Sequence, residues 1–330
     1  MTRRLLVLSA LLMIGTSLFA QAQTCQWSLG INGSLCGFRP FSPSSLWNTR
    51  AESMPTDAKS AAIVASIGKA RLFVDHEVPY IVVDSRYQPM VTVTLTADGH
   101  PKASDFCLAG VCQAPFPLNV DWTQKGQNPG AADFHGIVVD RARGVSWEAE
   151  GLSFVNGQWQ AQTVAMWNLY GGDLQRPWLT PSATAAGTSW MASLLTYDEA
   201  AADRVNHALG FTLSPRHFPN RNDVWFTPPA LMAIRSDGTS DPLAVGMGTR
   251  FVLRADFDET SYPPIARSII HALKKYGMIL EDRGSDMYIA ATGDSRWPAD
   301  QLRTLWKIMP TDFRVVTTQP RYGYHAYPKQ

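Results

Sequence analysis

"DFHGIVVDRARGVSWEAEG", residues 133–151, holds two short runs of β-branched and apolar residues on either side of Arg141-Ala142-Arg143-Gly144. Runs of this kind bounded by a glycine-ended polar stretch read as a β-hairpin. Side chains alternate along a strand, so Asp133 and His135 share one face, and Glu148 and Glu150 share a face on the returning strand. With the turn centred on Ala142 and Arg143, residues whose numbers sum to about 285 lie opposite one another, which sets Gly136 near Ala149 and His135 near Glu150. A slip of one residue would exchange the faces, so either glutamate can meet the histidine. An imidazole held beside carboxylates is the equipment of general acid–base chemistry. The competing reading is a capped strand, with Asp133 in the preceding turn and the glutamates on a wet face.

The same β signals recur on both sides of this hairpin. Stretches at 70–85 and 90–99 are β-branched and bounded by Pro, Asp and Gly, and Asn156-Gly157 is a two-residue turn signal within 152–169. Helices are expected around 189–195 and 197–206, the second capped by Thr196 with Glu199 three positions on. Further on, 207–214 and 250–258 read as strands. Pro264 at a start, Gly277 just past an end, and Ile265, Ile269, Ala272, Leu273 and Tyr276 on one face predict an amphipathic helix. The stretch 278–293 reads as a hairpin. A second helix follows at 298–308, with Leu302, Leu305, Trp306 and Met309 inward, and 313–318 reads as a closing strand. Consecutive strands outnumber helices, which favours a mainly β chain: an antiparallel β-sandwich or jelly-roll-like body with a few peripheral helices. No period of 20 to 50 residues recurs, which disfavours a solenoid or propeller.

Arg3 and Arg4 precede an apolar run that ends at Ala20-Gln21-Ala22, the pattern of a signal peptide over residues 1–22. The expected mature chain, 23–330, is one β-rich domain with an α+β portion from about 247 to 330, secreted or periplasmic and monomeric. Removing Arg3 and Arg4 from the 29 basic residues leaves 27 against 28 acidic ones. That near-neutral balance argues against a nucleic-acid partner. No further apolar stretch approaches about 18 residues, which argues against a membrane span. Four cysteines in an exported chain read as two disulfides, with proximity favouring Cys25 with Cys36 and Cys107 with Cys112. Their spacing is not that of a zinc site.

"HGIVVDRARGVSWE" (135–148), "RVNHALGFTL" (204–213), "RHFP" (216–219) and the long run from Gly248 through "ALKKYGMILEDRGSDMYI" (272–289) carry a resemblance. Together with "SLWN" (45–48), they make the chain resemble a widespread group of secreted bacterial proteins of unassigned activity, loosely associated with polysaccharide-active proteins. The resemblance covers most of the mature chain. It implies a shared fold and export, and it carries no catalytic assignment.

The residues themselves supply the candidates. Asp133, His135, Glu148 and His207 are the expected catalytic groups. His207 begins a strand beside a helix end, where clefts commonly open; buried apolar neighbours equally suit a core histidine. Arg216, His217, Asn222 and Trp225 crowd one loop, and with Trp147 they are expected to bind substrate. A guanidinium can fork onto a sugar carboxylate, and aromatic faces can carry sugar rings. Hydrolysis needs two carboxyl groups about 5–10 Å apart, which Asp133 with Glu148, or either with Asp140, can supply across paired strands. A lyase needs a cation, a base and an acid, available from Arg216, one of the histidines and a tyrosine such as Tyr170. The expectation is therefore a carbohydrate-active enzyme that cleaves a polysaccharide, hydrolase ahead of lyase, with no cofactor and no metal. The alternatives are a noncatalytic carbohydrate-binding or cell-envelope module, and a metal-dependent enzyme at the same cluster. G-x-S-x-G and phosphate-cradling glycine loops are absent.

Overall fold

The computed structural model describes residues 25–78, 80–96, 111–116, 134–233, 238–317 and 320–323. The signal-peptide reading, Asp133 and Cys107 lie outside these residues. The chain is mainly β, arranged as stacked sheets with short helices at the periphery, and among the described residues no sheet closes into a barrel.

The opening hairpin forms as its sequence dictates. His135–Asp140 pairs antiparallel with Val145–Glu150, with His135 opposite Glu150 and Gly136 opposite Ala149. It sits inside a five-stranded sheet ordered Gly30–Ile31, Tyr80–Val83, His135–Asp140, Val145–Glu150, Thr163–Asn168. Both faces of that sheet are covered. Ile81, Val83, Val138, Trp147, Ala149 and Val164 pack against a four-stranded sheet through Val93, Leu95, Phe116 and Trp159. The opposite face, with Tyr80, Val82, Ile137 and Val139, meets Trp190, Met191 and Leu194. Double coverage explains why every residue of His135–Asp140 is buried, where a hairpin with one wet face would alternate.

The second large sheet has six strands, ordered Phe313–Val315, Arg250–Leu253, Met278–Arg283, Leu209–Leu213, Tyr288–Thr292, Phe73–Val78. Pairing is mixed: Leu209–Leu213 runs parallel to Met278–Arg283 and antiparallel to Tyr288–Thr292. This corrects the hairpin expected at 278–293. Leu209–Leu213 lies between its two arms, because its alternate residues Leu209, Phe211 and Leu213 belong to the core while Ala208 is buried on the other side. The connection around Gly284 closes over the end of that strand, with the amides of Gly284 and Met287 donating to the carbonyls of Leu213 and Thr212.

The Pro264–Lys275 helix covers one face of the second sheet. All five residues of its expected apolar stripe are buried, and Gly277 follows at φ +75°, a conformation glycine adopts without strain. Each large aliphatic side chain buried there contributes roughly 1.5–3 kcal/mol. The expected 298–308 helix is α-helical only over Ala299–Thr304 and tightens into a 3-10 turn at Leu305–Lys307. That change of pitch rotates Trp306 outward, to 39% exposure, while Leu302 and Leu305 stay buried. Cys25 and Cys36 form a disulfide, and Cys112 is also disulfide-bonded.

Candidate functional site

Glu148 turns away from Trp147 and Ala149, into the layer between the two large sheets, where it is fully buried. Ser146 and Ser189 donate their hydroxyls to Oε1 at 2.8 and 2.7 Å, the amide of Trp190 donates to Oε2 at 2.7 Å, and the amide of Met191 to Oε1 at 3.2 Å. From the second sheet, Glu281 reaches the same inserted segment, accepting from Ser193 at 2.8 Å and Thr188 at 3.2 Å. His135 is buried and packs its ring 4.9 Å from that of Trp190. His207 is separately buried: its Nε2 lies 3.5 Å from Glu199, and its Nδ1 lies 2.8 Å from the Ala208 carbonyl. The three described members of the expected catalytic set are thus not gathered in one open cleft. Their polar atoms answer a structural demand, because an unsatisfied buried donor or acceptor costs about 1–3 kcal/mol.

Burial raises the Glu148 carboxyl above its ordinary range, an effect only partly offset by its four donors. Burial pushes Glu281 further, well above the ordinary range, with the Asp282 and Glu148 charges adding to the effect. A carboxyl that holds its proton more tightly in the folded chain stabilises fully below its unfolded value, 4.5 here, and loses that contribution as pH rises through the folded value. The thermal midpoint should therefore fall as pH is raised from about 5 to about 9, with a shallower fall in Glu281→Gln. Calorimetry at several pH values checks this; a midpoint that climbs over that range would contradict it.

A pocket of about 560 Å³ opens beside the Cys25–Cys36 disulfide, lined by Tyr80, Asp198, Glu199, Arg204 and Asn206 among others. Its carboxylates are already engaged. Asp198 pairs with Arg296 at 2.8 Å, and Glu199 completes the capping box with Thr196 besides facing His207.

The more open chemistry lies at the edge of the second sheet. Two pockets of about 490 and 510 Å³ share Ile67, Lys69 and Arg216 and so lie side by side, together called the groove below. Lys69, Ala70, Arg71 and Phe73 line it from the segment that leads into the Phe73–Val78 strand. Phe73 stacks on Tyr288 with centroids 4.4 Å apart and planes at 28°, and Trp306 extends the stack from Phe73 at 6.0 Å and 24°.

Arg216 stands at the junction, clamped from two sides. Its Nε donates to His217 Nε2 at 3.0 Å, and its Nη2 pairs with Asp286. His217 Nε2 also lies 3.3 Å from Asp286 Oδ2, so the three side chains form one cluster. Burial alone would raise Asp286; the Ser214 amide at 2.7 Å and hydroxyl, with His217 and Arg216, reverse this and hold it below the ordinary range. The guanidinium is fixed while its side chain stays 68% exposed. Neither Lys69 nor Arg71 has an ion-pair partner among the described residues.

Of the expected binding residues, Arg216 and His217 line this groove and the others do not. Trp147 is a core side chain, 3% exposed. Trp225 is covered by Gly246, where a Cβ would come within 2.4 Å of its ring, and by Arg321 at 4.4 Å. Asn222 is exposed and donates its amide to Asn220 in a local turn. Sequence reasoning missed Lys69, Arg71, Phe73, Asp286, Tyr288 and Trp306. The alternation in "KARLF" (69–73) is the one local signal that could have found the first three. No group of three or more His, Cys, Asp or Glu side chains among the described residues is placed to hold a metal ion, and no described helix is long and apolar enough to cross a membrane. No family model matches the chain, and neither a curated protein nor a solved structure matches it, so the groove is interpreted on its own geometry.

Proposed function

We propose that this chain is an exported carbohydrate-active protein that binds a polysaccharide along the Lys69–Arg216–Trp306 groove. The observation that carries this reading is the aromatic stack of Tyr288, Phe73 and Trp306, ending in the exposed Trp306, beside a clamped arginine, in a groove with two unspent cations. Aromatic faces complement the apolar C–H faces of sugar rings, and fixed polar groups at the margin select hydroxyl and charged substituents. The noncatalytic binding reading gains over cleavage. Glu148 and Glu281, whose carboxyls burial shifts upward, are sealed between sheets, and His217 Nε2 is engaged by Arg216 and Asp286.

Retention on immobilised polysaccharides, followed by affinity electrophoresis, tests the reading. Trp306→Ala should weaken retention about five- to tenfold, the effect of losing one aromatic contact, with the native fold kept, as circular dichroism checks. Equal retention of the variant and the native chain on every glycan would remove the groove from consideration. Products released by the native chain but not by His217→Asn would restore cleavage over binding alone.

A further inference from the structure

Resting on the groove reading above, we infer that the polysaccharide is a polyuronate, with a sugar carboxylate seated on Arg216 between Lys69 and Arg71.

The inference comes from how the charges are spent. Lys69, Arg71 and Arg216 face the groove, and Asp286 and Asp241 are its described carboxylates. Asp286 is turned to Arg216 Nη2, and Asp241 lies toward the far end, accepting the Leu243 amide at 2.8 Å in a local turn. The junction is therefore cationic in a chain whose overall charge is close to zero.

Asp286 and His217 orient the guanidinium more than they consume it. They hold Nε and Nη2, and no hydrogen bond engages Nη1 among the described residues. A planar fork fixed in this way matches a carboxylate, with the orientation settled before the ligand arrives. Trp306 and Tyr288 line the same pocket as Arg71 and Arg216, so one chain can lay a ring against the exposed Trp306 while a neighbouring ring places its carboxylate at the junction. Repeating carboxylates along a polyuronate would meet Lys69 and Arg71 in turn. A neutral glucan would leave Lys69 and Arg71 without partners.

Isothermal titration with polygalacturonate, its fully methyl-esterified form, alginate and dextran sulfate tests this. Polygalacturonate or alginate should bind, and esterification should weaken binding at least tenfold, since a hydrogen bond to a charged group is worth that factor. Raising salt from about 0.05 to about 0.5 M should weaken the polyuronate, as expected for exposed charges. Arg216→Ala should lose about tenfold or more. Lys69→Gln, a change on the exposed rim that leaves folding intact, should lower affinity and flatten the salt dependence.

Binding to the methyl ester as tight as to the free acid, still lost in Trp306→Ala, overturns the polyuronate while the groove reading stands. Binding to dextran sulfate but to neither polyuronate overturns the carboxylate. No binding to any of the four overturns the inference, and polyuronate binding unaffected by both Trp306→Ala and Arg216→Ala overturns the groove itself.

Discussion

Glu148→Ala should cost about 3–5 kcal/mol of folding stability, the range seen when one partner of a buried charged network is removed. The carboxylate takes four donors, two of them amides at the start of the Trp190–Ser193 turn. Alanine strands all four in a layer with no opening. Glu148→Gln keeps the shape and loses less, because one amide oxygen still accepts while its NH2 faces donors. Chemical denaturation of the two variants separates a structural from a chemical role. A structural Glu148 gives a lowered midpoint that is worse in alanine than in glutamine. An unchanged midpoint in both would show that its bonds are dispensable and return Glu148 to the list of chemical candidates.

Gly210→Ala is the second large effect expected. A Cβ at this position would stand 1.5 Å from Glu281 Oε1, 2.3 Å from its carboxyl carbon and 2.9 Å from the Ser193 Cβ. Glutamate side chains are flexible, yet this one is tied to Ser193 and Thr188 and has nowhere polar to go. Displacing it overpacks the layer and breaks both bonds, at a cost of about 2–4 kcal/mol. Glu281→Ala in the same chain removes the two shortest of these contacts. The double variant should therefore be destabilised by less than the sum of the two single variants, a non-additivity that a double-mutant cycle measures directly. Additive losses would mean that the alanine is accommodated elsewhere.

Local pattern carried the elements well. The register of His135 against Glu150, the Thr196–Glu199 capping box and the stripe of the Pro264–Lys275 helix all follow from spacing and were legible. What spacing cannot encode is which sheet covers which face. The polar residues of the opening hairpin looked like groove chemistry because a hairpin usually has a wet side; this one is covered on both, so Glu148 becomes an internal tie. Similarly, 278–293 has the composition of a hairpin, and nothing local announces that a third strand separates its arms. The groove was half legible. Arg216 and His217 stood out by type, whereas Asp286 and Trp306 come from distant segments. Trp306 faces outward only because a helix tightens at its end.

The strand inserted at Leu209–Leu213 constrains how the protein can be made. Its two neighbours are synthesised roughly seventy residues after it, so during translation it must wait without partners until residue 292 has left the ribosome. A chain halted before that point exposes a largely apolar strand with two bare edges, the kind of surface that a holdase keeps from aggregating.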